Sequence, residues 1–290
     1  MTLNGLLVAD KPARMTSHDA VAICRKRLGE RKIGHAGTLD PDATGVLILG
    51  VGRATRLLQY LEALDKTYVA TFVLGIETDT QDAAGAVVAT ADAGHVARGD
   101  VEAVLPSFRG DIEQVPPMVS AIKIGGEALY KKARRGETVE RPPRPVTIHE
   151  LELTGFDPPT IRVRCSKGTY IRTLVHDIGR ALGVGAHVAT LRRTAVGPYI
   201  EAGATPIEQV TEAAVLPIDA AVAGYPRRDI TREDALRLAH GKAIAAAGLA
   251  GPYAVFTGGA LIAMARDEGP EARSLCVLVH ASDLSGETAQ

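Results

Sequence analysis

The sequence predicts an α+β protein: a mixed, largely antiparallel central sheet flanked by helices, with a small, mostly β domain at the C-terminal end. Three observations carry this. Strand-like and helix-like stretches follow one another without the regular βαβ alternation of a parallel sheet. The 290 residues exceed what one hydrophobic core usually holds. Residues 224–228 read as a linker, after which come short strands and one small helix.

Residues 5–8 (GLLV) form a short apolar strand that stops at Asp10-Lys11-Pro12. Thr16 then opens a helix, with Asp19 three residues on as a variant capping box, and Ala20, Ile23 and Leu28 at a loose helical period. A Gly-rich loop at 34–45 interrupts before a buried strand at 46–49. Residues 55–64 read as a helix with Leu57, Leu58 and Leu61 on one face. Residues 68–76 are rich in β-branched types and read as a strand, followed by a turn at 79–85. A helix at 101–108 precedes strands at 112–115, 120–124, 146–153 and 161–165. Residues 170–182 form a helix stopped by Gly183, and 188–196 a further strand. The Ala-rich stretch 206–223 reads as helical, interrupted at Pro217.

Several classes lose support on composition and motif. Hydrophobic residues make up 46% and charged residues 23%, which excludes disordered and fibrous chains. No apolar run approaches the roughly 18 residues of a membrane span, and the N-terminal run is too short for a signal peptide. Cys24, Cys165 and Cys276 are far apart and in no CxxC, which fits a reducing cytoplasm. The histidines lack metal-type spacing. Gly50-Val51-Gly52 lacks the third glycine of a dinucleotide fingerprint, Gly241-Lys242 lacks the Ser or Thr of a Walker loop, and no G-x-S-x-G elbow occurs. A zinc site is therefore not expected, and several cofactor-dependent enzyme classes lose support.

The formal charge of −1 speaks at face value against a nucleic-acid partner. Its distribution does not. Residues 121–145 carry seven Lys/Arg against three Glu, and 158–194 carry seven against Asp177 alone. Residues 77–113 carry eight acids against two arginines. Such blocks are often solvated faces, but two basic blocks beside Gly-rich motifs also fit a polyanion groove.

Chemistry-bearing residues gather in three stretches. Residues 34–45 (GHAGTLDPDATG) bracket His35, Asp40 and Asp42 with glycines, which permit unusual backbone angles and close ligand approach. Asp40 before Pro41 is pushed out of the helical region, which can aim its carboxylate. An ordinary Asp-Pro-Asp turn is the alternative. Residues 165–172 (CSKGTYIR) lie at a strand-to-helix junction, where free N–H groups favour anions and Arg172 can meet a carboxylate. Residues 65–68 (DKTY) open a strand.

The chain resembles the TruB family of tRNA pseudouridine synthases, in its bacterial stand-alone branch. The resemblance rests on GLLVADKP, GHAGTLDPDATGVL, DKTY, LGIETDTQDAAG, FRGDIEQVPPMVSAIK, CSKGTYIRTLVHDIG and GAHVATLRR, in the family's order. It runs from Gly5 to about Ala195 and weakens after Pro226. It implies the pseudouridine synthase fold over 1–223, with a mobile RNA-gripping segment at 116–145, and a PUA-like domain over 224–290. It implies isomerisation of uridine 55 in the T-loop of tRNA by a cytoplasmic, cofactor-free enzyme acting on the tRNA T-arm as a monomer, with no protein partner and no membrane. Position by position it makes Asp40 the catalytic aspartate, Tyr68 the active-site tyrosine and Arg172 the partner of the catalytic carboxylate. His35 fills the stack vacated by the flipped nucleotide, Tyr170 and Leu191 line the uridine pocket with Tyr68, and Lys11-Pro12 supports the catalytic loop. Lys123, Lys131, Arg134 and Arg192 are the expected RNA-backbone contacts. The C-terminal residues 199–290 carry seven basic against twelve acidic residues, a poor basis for strong RNA binding of their own.

Overall fold

The computed structural model describes residues 3–120, 122–129, 132, 135–137 and 139–285. In chain order the first elements are β1 (Gly5–Lys11), α1 (Ser17–Leu28), β2 (Ile33–Ala36), β3 (Thr44–Val51), α2 (Leu58–Ala63) and β4 (Lys66–Leu74). A hairpin of β5 (Ile76–Thr78) and β6 (Val87–Thr90) precedes α3 (Arg98–Val104) and β7 (Gly110–Gln114). The short β8 (Lys123–Ile124) and β9 (Glu127–Ala128) lead to β10 (Arg144–Phe156), β11 (Pro159–Cys165), α4 (Ile171–Ala181) and β12 (Ala186–Val196). Then follow β13 (Tyr199–Ile200), β14 (Thr205–Pro206), β15 (Arg227–Asp229), α5 (Arg232–Ala239) and β16 (Ile244–Ala245). The chain closes with β17 (Tyr253–Thr257), β18 (Ala260–Glu268), β19 (Glu271–Val277) and α6 (Ala281–Ser285). No described helix is long and apolar enough to cross a membrane.

These elements form two compact units: Met1–Pro41, Val46–Leu64 and Gly197–Gln290 make one, Asp42–Gly45 and Asp65–Val196 the other. In the first unit β1 lies between β14 and β3, and β2 adds to β3 in antiparallel register with His35 opposite Leu49. Leu6, Leu7, Leu47, Ile48, Leu49, Leu57 and Leu61 are fully buried, so β3 reads as a continuous apolar run rather than an alternating one. Helix α1 starts where the capping box placed it: the Thr16 hydroxyl accepts from the Asp19 N–H at 3.1 Å, and the Asp19 carboxylate accepts from the Thr16 N–H at 3.0 Å. The Thr16 hydroxyl also donates to the Asp19 carboxylate at 2.6 Å, and this bond, with that from the Thr16 N–H, holds the Asp19 carboxyl below its ordinary range. A separate five-stranded sheet, in the order β15-β17-β18-β19-β16, packs α5 against Tyr253, Val255 and Ile262.

The second unit is a sheet in the order β12-β4-β11-β10-β7, with β4 antiparallel to both neighbours. At its β12 edge the first residues of β3 pair in parallel, Arg192 opposite Thr44 and Arg193 opposite Gly45. Gly45 has φ +101°, and a Cβ there would collide with the Arg193 carbonyl, so this crossing requires glycine. The mixed sheet with mainly antiparallel pairs is the one expected.

Several expected elements differ in detail. The stretch 206–223 is no α-helix but β14 and short 3-10 turns at Ile207–Gln209, Glu212–Ala214 and Ile218–Val222. Pro206 and Pro217 break it, and Leu216 exchanges both backbone bonds with Leu6 at 3.0 and 2.8 Å, so tertiary pairing overrides alanine propensity. The expected strand 68–76 is two strands, parted by Gly75 at φ +82°. Residues 101–108 are helical only to Val104 and tighten to 3-10 at Pro106. The expected Gly-rich loop begins later, because residues 33–36 pair as β2 despite Gly34. Of the expected strand 120–124, only Lys123–Ile124 is a strand among the described residues.

Candidate active site

Around Asp40 the first unit ties down the chain on both sides. Leu39 is buried, and the Ser17 hydroxyl accepts from its N–H at 2.9 Å and donates to its carbonyl at 3.2 Å. On the far side the Pro41 carbonyl accepts from the Met15 N–H at 3.2 Å and from the Lys11 ammonium at 3.0 Å. Lys11 is fully buried, and its Nζ also donates to the carbonyls of Pro12 and Met15 at 2.8 and 2.7 Å. A buried cation satisfied by carbonyls fixes the backbone that carries them. The half-buried Asp40 thus lies in a pinned loop. Lys11 and Pro12 are the residues expected to support the catalytic loop. His35, on β2, meets His18 edge-to-face at a centroid distance of 5.3 Å.

Replacing Lys11 with Met keeps the stem and deletes the charge, stranding buried carbonyls. The expected loss is about 2–4 kcal/mol of stability. Urea denaturation with an unchanged midpoint would contradict this role for Lys11.

The second unit assembles the other side chains. Tyr68 on β4 is buried and pairs across to Arg193 on β12 and Val163 on β11. Leu191 is opposite Ala70, two residues along, so Tyr68 and Leu191 share one face of the sheet as a diagonal pair. Arg192 points to the other face of the pleat and reaches the Thr44 hydroxyl at 3.5 Å. Asp65, at the head of the DKTY stretch, meets Arg164 and His149, each at 3.2 Å. Arg164 and Arg162 also grip Glu150 at 2.9 and 3.0 Å and hold its carboxyl below the ordinary range.

Tyr170 is the N-cap residue of α4, and its side chain makes no capping bond. Buried Gln114 replaces that cap: its Oε1 accepts from the Tyr170 N–H at 2.9 Å and its Nε2 donates to the Tyr170 carbonyl at 3.2 Å. Arg172, two residues on, is 3% exposed. Its guanidinium donates to the carbonyls of Thr80 and Val119, both at 2.8 Å, and faces Asp82 at 3.4 Å. A planar fork shared among fixed acceptors has one orientation.

Gln114 and Asp82, which contact Tyr170 and Arg172, were given no role by sequence reasoning. Both stand inside quoted motifs, FRGDIEQVPPMVSAIK and LGIETDTQDAAG, without a role. The signal for Asp82 was its place in the acidic block 77–113, for which a solvated face was one of the open readings. Asp40, His35 and Lys11 belong to the first unit, and Tyr68, Tyr170, Arg172, Leu191 and Arg192 to the second. Lys131 and Arg134 lie outside the described residues, as does the Lys123 side chain. In the same basic block Arg135 is already paired with Glu127 and Glu137, both at 2.7 Å.

Comparison with known proteins is consistent along the chain. A family model described as "TruB family pseudouridylate synthase (N terminal domain)" matches residues 25–171. Models for a "tRNA pseudouridylate synthase B C-terminal domain" and for "tRNA Pseudouridine synthase II, C terminal" match 172–227 and 225–279. The tRNA pseudouridine synthase B of Symbiobacterium thermophilum is 52% identical, covering 83% of each chain. That of Thermobifida fusca is 45% identical over 94% of this chain and 98% of its own. Among solved structures, one described as "Crystal Structure of a Cbf5-Nop10-Gar1 Complex" aligns at TM-score 0.77 and 28% identity, covering 97% of this chain and 86% of that one. An archaeal box H/ACA sRNP Nop10-Cbf5 complex aligns at TM-score 0.73 and 26% identity, over 99% and 89%.

Proposed function

The chain belongs to the TruB family of pseudouridine synthases, and on that premise we propose that it converts uridine 55 in the T-loop of tRNA to pseudouridine. The observation that carries the reading is the pinned Asp40 loop, with Lys11 bonded to the Pro41 carbonyl. In this reading residues 1–223 form the catalytic domain, with 116–145 gripping RNA, and 224–290 a PUA-like domain. The enzyme works as a monomer in the cytoplasm on the tRNA T-arm.

The chemistry needs little equipment. The N1–C1′ bond breaks, the base turns, and a C5–C1′ bond forms; C5 gives up its proton and N1 gains one. Atoms and charge balance within one nucleotide, so neither redox partner nor group donor is required. One carboxylate suffices, as nucleophile or as base, whereas ordinary glycoside hydrolysis uses two because water must attack. Water must here be excluded, since its attack would leave an abasic site. Asp40 is that carboxylate. Arg172 is the residue that the family resemblance assigns as its partner. Its own orientation comes from Thr80, Val119 and Asp82.

The target base must be flipped at a cost of a few kcal/mol. His35 filling the vacated stack, Tyr68 against the base, and Tyr170 and Leu191 lining the pocket offset that cost. Arg192, Lys123, Lys131 and Arg134 offset it further on the phosphates, so binding weakens steeply with salt.

The test is tritium release from transcribed tRNA carrying [5-³H]uridine, with purified protein and nothing added. The expected result is one equivalent released per tRNA, abolished when U55 is replaced by C. Release that continues from the U55C transcript would overturn the assigned position. The solved neighbours come from multiprotein complexes, so the rival is a subunit that needs partners; it predicts no release from tRNA by the protein alone.

A further inference from the structure

The turn between β5 and β6 contains a residue that the mechanism above leaves without a task. Gln81 has φ +64°, a region long side chains rarely occupy. Its N–H donates to the Thr78 carbonyl at 3.1 Å, and its carbonyl accepts from the Val188 N–H of β12 at 3.1 Å. Its side chain turns back to α4, where Oε1 accepts from the Thr173 hydroxyl at 3.0 Å. Thr173 is 3% exposed and directly follows Arg172. Two consecutive residues of one helical turn thus bind the same loop. Arg172 takes the Thr80 carbonyl and faces Asp82, and Thr173 takes Gln81 between them.

We infer that Gln81 is a positioning residue for the isomerisation, acting through Arg172. This rests on the TruB reading of the site. The turn is already internally bonded: the Asp79 carboxylate accepts from the Ala86 N–H at 2.9 Å, and the Thr78 hydroxyl donates to the Asp82 carbonyl at 2.7 Å. Those bonds shape the turn but do not attach it to α4. Beside the contacts of Arg172 itself, the Gln81–Thr173 bond does, and it ties the acceptors Thr80 and Asp82 in register with the guanidinium they orient. Catalytic groups misplaced by about 1 Å can lose up to about 10²-fold in rate. The bond is neutral and partly buried, so a smaller effect is expected, about tenfold in kcat.

Steady-state isomerisation of tRNA separates this role from mere packing. Thr173→Val removes the hydroxyl at nearly constant volume, Thr173→Ser retains it, and Gln81→Gly keeps the backbone angle without the side chain. Expected are a roughly tenfold lower kcat for Thr173→Val and Gln81→Gly, with KM within about twofold. Thr173→Ser should keep kcat within about twofold, and the double variant should be no worse than the poorer single. The inference is overturned if Thr173→Val keeps wild-type kcat, if Thr173→Ser falls equally far, or if the two losses multiply. Should Thr173→Val fail to fold, Gln81→Gly alone decides on the kcat and KM split. Wild-type protein inactive on tRNA would overturn the reading of the site, and this inference with it.

Discussion

Asp40→Asn is expected to lose pseudouridine formation by about 10⁴-fold or more while binding tRNA within about threefold of wild type. The change is one atom, and the loop that carries it is held by backbone contacts that Asn leaves alone. Ser17 grips Leu39 on one side, and Lys11 and Met15 grip the Pro41 carbonyl on the other. What is lost is the charge, and with it both the nucleophile and the base that a single carboxylate can be. In the proposed reading affinity resides in phosphate contacts and base stacking, which a neutral amide does not disturb. Tritium release paired with filter binding reads the two quantities separately. A variant that loses binding in step with turnover would make Asp40 a structural residue.

Arg172→Ala has the second largest expected effect, on two observables. The guanidinium is buried and donates to the carbonyls of Thr80 and Val119 while facing Asp82. Truncation leaves those acceptors and a three-quarters-buried carboxylate without their cation, a loss of about 3–5 kcal/mol of stability by analogy with broken buried pairs. Turnover should fall by about 10³-fold, with tRNA affinity changed far less. Arg172→Lys restores a charge but not the fork, so it should recover stability only in part and turnover hardly at all. Asp82→Asn separates the contributions: it keeps Arg172, removes the charge facing it, and should lower kcat without the full stability loss. Equal falls in affinity and turnover for Arg172→Ala would point to a phosphate contact instead.

The sheet and the site were legible to different degrees, for physical reasons. Buried strands announced themselves by composition, as at residues 46–49, where every side chain is enclosed. The helix after Thr16 announced itself by its cap, because capping is local chemistry. What sequence could not report was competition between local propensity and a distant partner. Residues 206–223 are alanine-rich, yet Leu216 pairs with Leu6 and the helix never forms. Gly34 argued for loop, yet His35 and Ala36 find β3 beside them.

The same limit applies to the site. Asp40 drew attention because glycines and a proline surround it, and Arg172 because it follows a glycine turn at a helix start, but their roles, and that of Tyr68, came from the resemblance to the family. Asp82 and Gln114 act through contacts 90 and 56 positions away, with Arg172 and Tyr170. The net charge was the least informative quantity: a total of −1 conceals two basic blocks of seven Lys/Arg each.

Carbodiimide primer extension on a transcribed elongator tRNA tests the central claim most directly. The tRNA is incubated with purified wild-type protein or with Asp40→Asn, and no other component is added. The expected result is a single strong stop reporting pseudouridine at position 55 with wild type and none with Asp40→Asn. A wild-type reaction without that stop, or an Asp40→Asn reaction that retains it, contradicts the account.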